Sequence, residues 1–145
     1  MKTIESGSSL FAVSLTCGLS VLAMATGCER GANDTPQVPS FEDAGLQQGR
    51  TVWMQVCRNC HLLGVAGAPA IDDGEAWRPR IEKGRAALYQ SALNGIAKDG
   101  GWSMPPRGGK DVLTETQVRR AVDFMLAAVE TLQAGQSQSA EATGR

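Results

Sequence analysis

The pentapeptide Cys57-Arg58-Asn59-Cys60-His61 decides how the rest of this chain is interpreted. Two cysteines separated by two residues and followed directly by a histidine form the C-x-x-C-H pattern, which attaches a c-type haem. At a helix end, two thiols at this spacing can add to the two vinyl groups on one edge of a porphyrin, and the next residue presents its imidazole to the iron. The pattern therefore predicts one covalently attached haem c per chain, held by Cys57, Cys60 and His61.

Other thiol chemistry stays open beside this interpretation. A thiol redox pair is typical of a βαβ context, which the surrounding sequence lacks. A tetrahedral zinc site needs a second cysteine pair, but the remaining cysteines, Cys17 and Cys28, lie near the N-terminus. A simple disulfide between Cys57 and Cys60 is the remaining alternative, and it would give the chain a structural or thiol-exchange role without haem.

Composition and charge exclude several classes of function. The chain carries 14 Lys+Arg against 15 Asp+Glu, a formal net charge of −1, which excludes the strongly basic surface of a nucleic-acid-binding domain. Its single histidine, His61, excludes sites that need two, such as a bis-histidine haem or an H-E-x-x-H metal helix. No acid–base arrangement for catalysis is visible, so we do not expect an enzyme.

An apolar run at the N-terminus predicts an export signal over residues 1–27. The run from Leu10 to Thr26 is shorter than most membrane spans and lies at the very start of the chain. An uncleaved signal anchor is the alternative. Residues 25–28, Ala-Thr-Gly-Cys, resemble the lipobox of bacterial lipoproteins, which predicts lipidation of Cys28 and a membrane tether. The alternative is cleavage nearby, with Cys28 left as a free thiol.

The rest of the chain divides by composition. Residues 28–40 are polar and contain two prolines, which predicts a flexible tether. Residues 133–145 are small and polar, which predicts a disordered tail. The folded domain is therefore expected over residues 41–132. A domain of this size has a limited core, and only 5% of the chain is aromatic, so a bound group is expected to fill its middle.

The apolar pattern of this domain predicts about four helices. Helical spacing is visible over residues 41–57, and shorter helices are expected over 75–82 and 85–93. The clearest helix begins at Thr114, where Gln117 completes a capping box ahead of a long apolar stripe. No segment alternates with period two. The prediction is a single small all-α domain wrapped around one haem.

Methionine is the natural second ligand of an iron that His61 binds from one side. Met1 and Met24 belong to the leader, Met54 lies too close to Cys57, and Met125 falls on the apolar stripe of the last helix. Met104 remains, and the two prolines that follow it restrict the backbone, as suits a loop held against a flat cofactor. An exposed surface methionine is the alternative.

At this point the chain resembles the class I c-type cytochromes, and within them the short bacterial cytochrome c-five group. The resemblance covers nearly the whole folded unit. It rests on an ordered set of segments: C-R-N-C-H at 57–61, G-V-A-G-A-P-A at 64–70, A-W-R-P-R-I at 76–81, L-Y-Q-S-A-L-N-G at 88–95, M-P-P-R-G-G at 104–109 and A-V-D-F-M at 121–125.

The resemblance implies a compact helical fold around the haem, with the first and last helices crossing near Gly49 and Phe124. It implies thioether bonds at Cys57 and Cys60, with His61 and Met104 as the axial ligands.

Three further residues are implied by the resemblance alone. The carbonyl of Pro69 is expected to accept a hydrogen bond from the second ring nitrogen of His61, which orients the ligand. Trp77 and Arg80 match family positions near the haem propionates, with ordinary surface packing as the alternative.

The resemblance also implies a function. His/Met ligation suits a one-electron carrier in the periplasm or at the outer face of a membrane, between a quinol-oxidising complex and an oxidase, reductase or photosynthetic centre. The segment between Gly95 and Met104 is longer than usual for the group, and some members carry a second cysteine pair that this chain lacks. We therefore expect Met104 to be held less firmly. A labile Met104 would give the alternative function of a small-ligand sensor or peroxidase.

Overall fold

The computed structural model describes residues 35–99 and 101–144, except for the side chain of Trp102. The predicted export signal, the lipidation of Cys28 and the first part of the predicted tether lie outside these residues. Among the helices within them, none combines the length and the apolar character needed to cross a bilayer.

The chain folds into a mainly helical domain, as predicted. Two 3₁₀ turns, at Val65–Gly67 and Pro106–Gly109, lie between the other elements. One short antiparallel hairpin was not predicted. The elements, in chain order, are α1 (Ala44–Gln55), α2 (Arg58–His61), α3 (Gly74–Ile81), α4 (Arg85–Asn94), β1 (Ile96–Lys98), β2 (Gly101–Met104) and α5 (Glu115–Thr143).

Short polar side chains define where three of the helices begin. Asp43 accepts a hydrogen bond from the Leu46 amide at 2.8 Å ahead of α1, and Asp73 accepts one from the Ala76 amide at 3.0 Å ahead of α3. Each cap satisfies an amide that the first helical turn leaves without an internal partner. At the start of α5 the predicted capping box between Thr114 and Gln117 is present.

The core is organised by the crossing of α1 and α5. A Cβ atom at Gly49 would lie 2.0 Å from the carbonyl oxygen of Arg120, so only glycine allows the two backbones to come this close. Trp53 and Phe124 are fully buried beside the crossing, with ring centroids 5.6 Å apart. The crossing near Gly49 and Phe124 that the resemblance implies is therefore confirmed.

The unusually long segment before Met104 forms the β1–β2 hairpin. Ile96 pairs with Met104 and Lys98 pairs with Gly101, with an irregularity in the ladder between Ile96 and Ala97. Ser103 Oγ donates a hydrogen bond to the Ile96 carbonyl at 3.1 Å. The extra residues thus connect Met104 to α4 through strand pairing rather than through an irregular loop.

The last helix extends beyond the predicted end of the domain. Leu132 still packs against the core, and α5 continues as helix to Thr143, where a disordered tail was predicted. Lengthening an existing helix requires no new nucleation, and this Ala- and Gln-containing segment has no proline to end it. Gln136 also donates a hydrogen bond to the Asp72 carbonyl at 3.1 Å. The prediction of disorder over this segment is wrong.

Candidate functional site

A cavity of about 480 Å³ lies between α2, α3, α4, α5 and the end of the hairpin. Most of its lining is apolar, as in typical cofactor pockets. Seven residues of the folded domain are predicted site residues, and all of them line this cavity: Cys57, Cys60, His61, Pro69, Trp77, Arg80 and Met104. Cys28, the eighth, lies outside the described residues.

His61 is buried at the end of α2, and its ring is oriented by the backbone. Its Nδ1 atom lies 3.0 Å from the carbonyl oxygen of Pro69, the contact that the resemblance implies. Because a carbonyl oxygen can only accept, Nδ1 carries the proton and donates it. The lone pair of a neutral imidazole then resides on Nε2, which is the nitrogen available to a metal.

Burial keeps this imidazole neutral. Loss of solvent around His61 lowers its pKa, and the positive charge of Arg80 lowers it further, against the opposing effect of the hydrogen bond to Pro69. A neutral ring is the form that ligates metals. The local electrostatics therefore favour the protonation state that a metal ligand needs.

Further hydrogen bonds hold the segment that contacts His61. The Ile71 amide donates to the His61 carbonyl at 2.7 Å, and the indole Nε1 of Trp77 donates to the Ala70 carbonyl at 2.6 Å. The rings of Trp77 and His61 also lie close together, with centroids 5.9 Å apart. We call residues 57–71, together with Trp77, the His61 wall of the cavity.

The two cysteines form no disulfide and differ in their surroundings. Cys57 is partly buried, whereas Cys60 is exposed. Burial raises the pKa of Cys57 to about 11, with a smaller contribution from the neighbouring Cys60. Both residues line the cavity.

Further lining residues, Ile96, Met104 and Gly108 among them, come from residues 95–99 and 101–109, which we call the Met104 wall. Met104 is half-buried at the end of β2. A Cβ atom at Gly95 would lie 2.7 Å from the Met104 carbonyl oxygen and 2.8 Å from the nitrogen of Pro106, and Gly95 has a φ of +76°. Arg107 donates to the Leu113 carbonyl at 2.5 Å, which fastens this wall to the residues just before α5.

The charged side chains among the described residues that line the cavity are Arg80 and Lys83, and both are basic. Arg80 lies on α3 and also donates to the carbonyl of Ala76. Lys83, which the sequence analysis did not identify, follows three residues later in the turn after the helix. Such a basic pair suits a ligand that carries carboxylates.

Two more residues were not assigned to the site from the sequence. Met125 was assigned to the core, and it is buried there, but it also borders the cavity. Arg107 was quoted only within the M-P-P-R-G-G segment. Its position three residues after Met104 is the signal that could have identified it as an anchor of that wall.

These residues fit a covalently attached haem. Two cysteines that form no disulfide, a histidine whose Nε2 lone pair is available, and a methionine line one cavity that is largely apolar. The basic pair supplies partners for carboxylates at its edge. The donor set is that of a c-type haem site rather than a zinc site, because nitrogen and thioether ligands replace the thiolates that zinc prefers.

Comparisons with known proteins agree with this donor set. The family model described as "Cytochrome C oxidase, cbb3-type, subunit III" matches residues 44–125. Cytochrome c-555 of Chlorobaculum tepidum is 37% identical over 78 residues, which cover 54% of this chain and 71% of that protein. Cytochrome c5 of Ectopseudomonas mendocina is 36% identical over 84 residues, covering 56% of this chain and 90% of that protein.

A solved structure matches in fold as well. It is described as the crystal structure of an electron transfer complex of nitrite reductase with cytochrome c. The match has a TM-score of 0.50 and 36% sequence identity, and covers 57% of this chain and 94% of the matched chain.

Proposed function

Because this chain belongs to the class I c-type cytochromes, we propose that it is a monohaem carrier that passes single electrons between redox proteins. The observation that carries this proposal is the arrangement of His61 and Met104 on one cavity beside both cysteines of the C-x-x-C-H motif. Bound haem c supplies an iron that cycles between Fe(II) and Fe(III).

The cofactor is haem c, bound covalently at the Cys57, Cys60 and His61 motif. In the proposed site the two cysteine sulfurs fix the position of the porphyrin edge. His61 supplies one axial nitrogen, and the hydrogen bond from Nδ1–H to Pro69 increases the electron donation of that nitrogen. Arg80 and Lys83 are proposed to bind the carboxylate groups of the haem at the edge of the cavity.

Met104 is proposed as the second axial ligand. Its thioether sulfur favours the reduced iron more than a second imidazole would, so His/Met ligation raises the reduction potential. Support comes from its position on the cavity, from its pairing with Ile96 across the hairpin, and from the Arg107 anchor. These contacts favour a carrier over the alternative of a sensor or peroxidase, which needs a labile Met104.

Redox proteins are the proposed partners. A quinol-oxidising complex is the proposed electron donor, and a terminal oxidase, a reductase or a photosynthetic centre is the proposed acceptor. The solved relative in complex with nitrite reductase supports a reductase in particular. Electron-transfer encounters of this kind use small and transient interfaces.

The proposed location is outside the cytoplasmic membrane, in the periplasm. The apolar run from Leu10 to Thr26 supports export, and the lipobox-like residues before Cys28 support a lipid anchor there. A mass spectrum of the mature protein tests both points, because it reports covalent haem and acylation of Cys28 together.

The proposed ligation is tested by absorption spectra of the purified holoprotein. We expect the oxidised wild-type protein to show the methionine-to-iron charge-transfer band and the Met104→Leu variant to lose it. The reduced Met104→Leu variant should bind carbon monoxide rapidly, whereas the wild-type protein should not. Met54→Leu is the control, because Met54 packs against the core without bordering the cavity.

Two outcomes would contradict the proposal. Loss of the band in a Met125→Leu variant, with Met104→Leu unaffected, would assign the ligand to Met125 instead. Rapid carbon monoxide binding by the reduced wild-type protein would support the sensor or peroxidase alternative.

A further inference from the structure

The indole N–H of Trp77 does not point to a ligand in the cavity but is donated to the protein backbone. Nε1 lies 2.6 Å from the carbonyl oxygen of Ala70, and Trp77 is only 3% exposed. A buried N–H group that is already paired has no hydrogen bond left for a carboxylate, since indole carries a single donor. The position that the resemblance places near the propionates therefore has a different polar partner here.

The carbonyl that Trp77 contacts belongs to the segment that orients His61. Pro69, directly before Ala70, accepts the hydrogen bond from His61 Nδ1 at 3.0 Å. Ile71, directly after Ala70, donates its amide to the His61 carbonyl at 2.7 Å. Residues 69–71 are thus hydrogen-bonded to His61 through the first and third of them, and to Trp77 through the second.

We propose that Trp77 is a positioning residue for the haem ligand: its N–H holds residues 69–71 in place, and through them sets the strength of the His61–Pro69 hydrogen bond. This inference rests on the proposed function, in which His61 is an axial ligand.

The consequence is electronic as well as structural. A hydrogen bond from Nδ1–H to a carbonyl makes the imidazole a stronger donor through Nε2. A stronger donor stabilises the oxidised iron, which is the more electron-poor state, more than the reduced iron. Loss of the Trp77 N–H should therefore weaken the His61–Pro69 bond and raise the midpoint potential.

The Trp77→Phe substitution tests this, because it removes the N–H and keeps an aromatic ring beside His61. Measured on the holoprotein by nuclear magnetic resonance, solvent exchange of His61 Nδ1–H should become about ten-fold faster, the effect expected when one buried hydrogen bond is lost. The midpoint potential should shift upward, because the weaker hydrogen bond leaves His61 a poorer electron donor.

Trp53→Phe is the matched control. Trp53 is also a fully buried tryptophan, but its Nε1 has no hydrogen-bond partner within the part of the chain that the structure describes. The same loss of ring size there should leave the exchange of His61 Nδ1–H and the midpoint potential as in the wild-type protein. If Trp77→Phe matches Trp53→Phe in both measurements, the proposed role of Trp77 is wrong.

A measurement on the wild-type holoprotein covers the case in which Trp77→Phe does not fold. If these hydrogen bonds act as one unit, their protons should exchange with solvent through a shared opening. We then expect protection factors that agree within about two-fold for the Trp77 indole N–H, the Ile71 amide and His61 Nδ1–H. Protection of His61 Nδ1–H that exceeds that of the Trp77 indole many-fold would overturn the inference. A protein that carries no haem would contradict the proposed function instead.

Discussion

The His61 wall and the Met104 wall face the same cavity but are held in different ways. The His61 wall comes from one nearly continuous stretch of chain, and its side-chain hydrogen bonds are buried or part-buried and run between residues close in sequence. The Met104 wall contains the hairpin, whose side-chain bond from Ser103 is exposed, and it is supported by the close approach at Gly95 and by the bond from Arg107 to Leu113. The side that carries the covalent attachment is therefore also the more tightly fixed side, and changes in ligation are expected to begin at Met104.

The largest effect is expected at the α1–α5 crossing, on which both walls depend. In Gly49→Ala the new methyl group would meet the Arg120 carbonyl, and overpacking of this kind costs about 3 kcal/mol of the free energy of unfolding. Chemical denaturation, followed by the haem spectrum and by circular dichroism, should show both walls lost together at a lower midpoint.

The control is Gly135→Ala, in the exposed part of α5, where an added Cβ meets nothing within 4 Å. It should stabilise the protein slightly, because alanine is the better helix former. A Gly49→Ala protein as stable as Gly135→Ala would contradict the close packing at the crossing.

The second effect separates the two walls. Gly95→Ala would push the Met104 carbonyl and Pro106 away. The free energy of unfolding should fall by about 2 kcal/mol more than the positive φ of an alanine at this position would cause alone. We expect the methionine-to-iron band to weaken while exchange of His61 Nδ1–H stays slow. Gly84→Ala is the control, because Gly84 has a similar φ of +84° and no atom within 4 Å of an added Cβ. Equal effects of both substitutions would show that strain, and not contact with the Met104 wall, is responsible.

A smaller effect is expected from Arg107→Gln. The substitution removes the charged donor to the Leu113 carbonyl, a bond worth about 1.5 kcal/mol. Carbon monoxide should bind the reduced variant faster than the wild-type protein, and the free energy of unfolding should fall by about the same amount. The neighbouring exposed Lys110, changed to Gln, should behave as the wild-type protein in the same stopped-flow measurement.

The smallest effect is expected from Ser103→Ala, which removes one exposed hydrogen bond across the hairpin. The cost should be about 0.5 kcal/mol, at the lower end for a neutral hydrogen bond. Thermal unfolding should be almost unchanged, and any increase in carbon monoxide binding should be below that of Arg107→Gln. A larger effect than at Arg107 would mean that the hairpin, rather than the Leu113 anchor, holds Met104.

The same contrast separates what the sequence could predict from what it could not. Cys57, Cys60 and His61 form a local pattern, and their spacing alone indicates haem attachment. The apolar period of α5 and its cap at Thr114 are local patterns as well. The hairpin was missed because Ile96 to Met104 shows no alternation, and its pairing depends on a close contact with Gly95. Strand pairs of this size are decided by tertiary context.

The hydrogen bond from Trp77 to Ala70 could not be predicted either. Every residue carries the same backbone carbonyl, so the sequence does not indicate which carbonyl a side chain contacts. The end of α5 was missed because its residues were interpreted without the helix that precedes them. Small polar residues after Leu132 indicate disorder when considered alone, but they continue a helix that is already formed.

The crossing at Gly49 has a consequence for when the domain can form. α1 lies at the start of the domain and α5 at its end, so the contact that closes the core joins the parts of the domain that are synthesised first and last. Contacts so distant along the chain slow folding, because a long loop must be closed before they form. A nascent chain that has not yet emerged as far as Phe124 lacks this contact, so the core cannot close until nearly all of the domain has been synthesised.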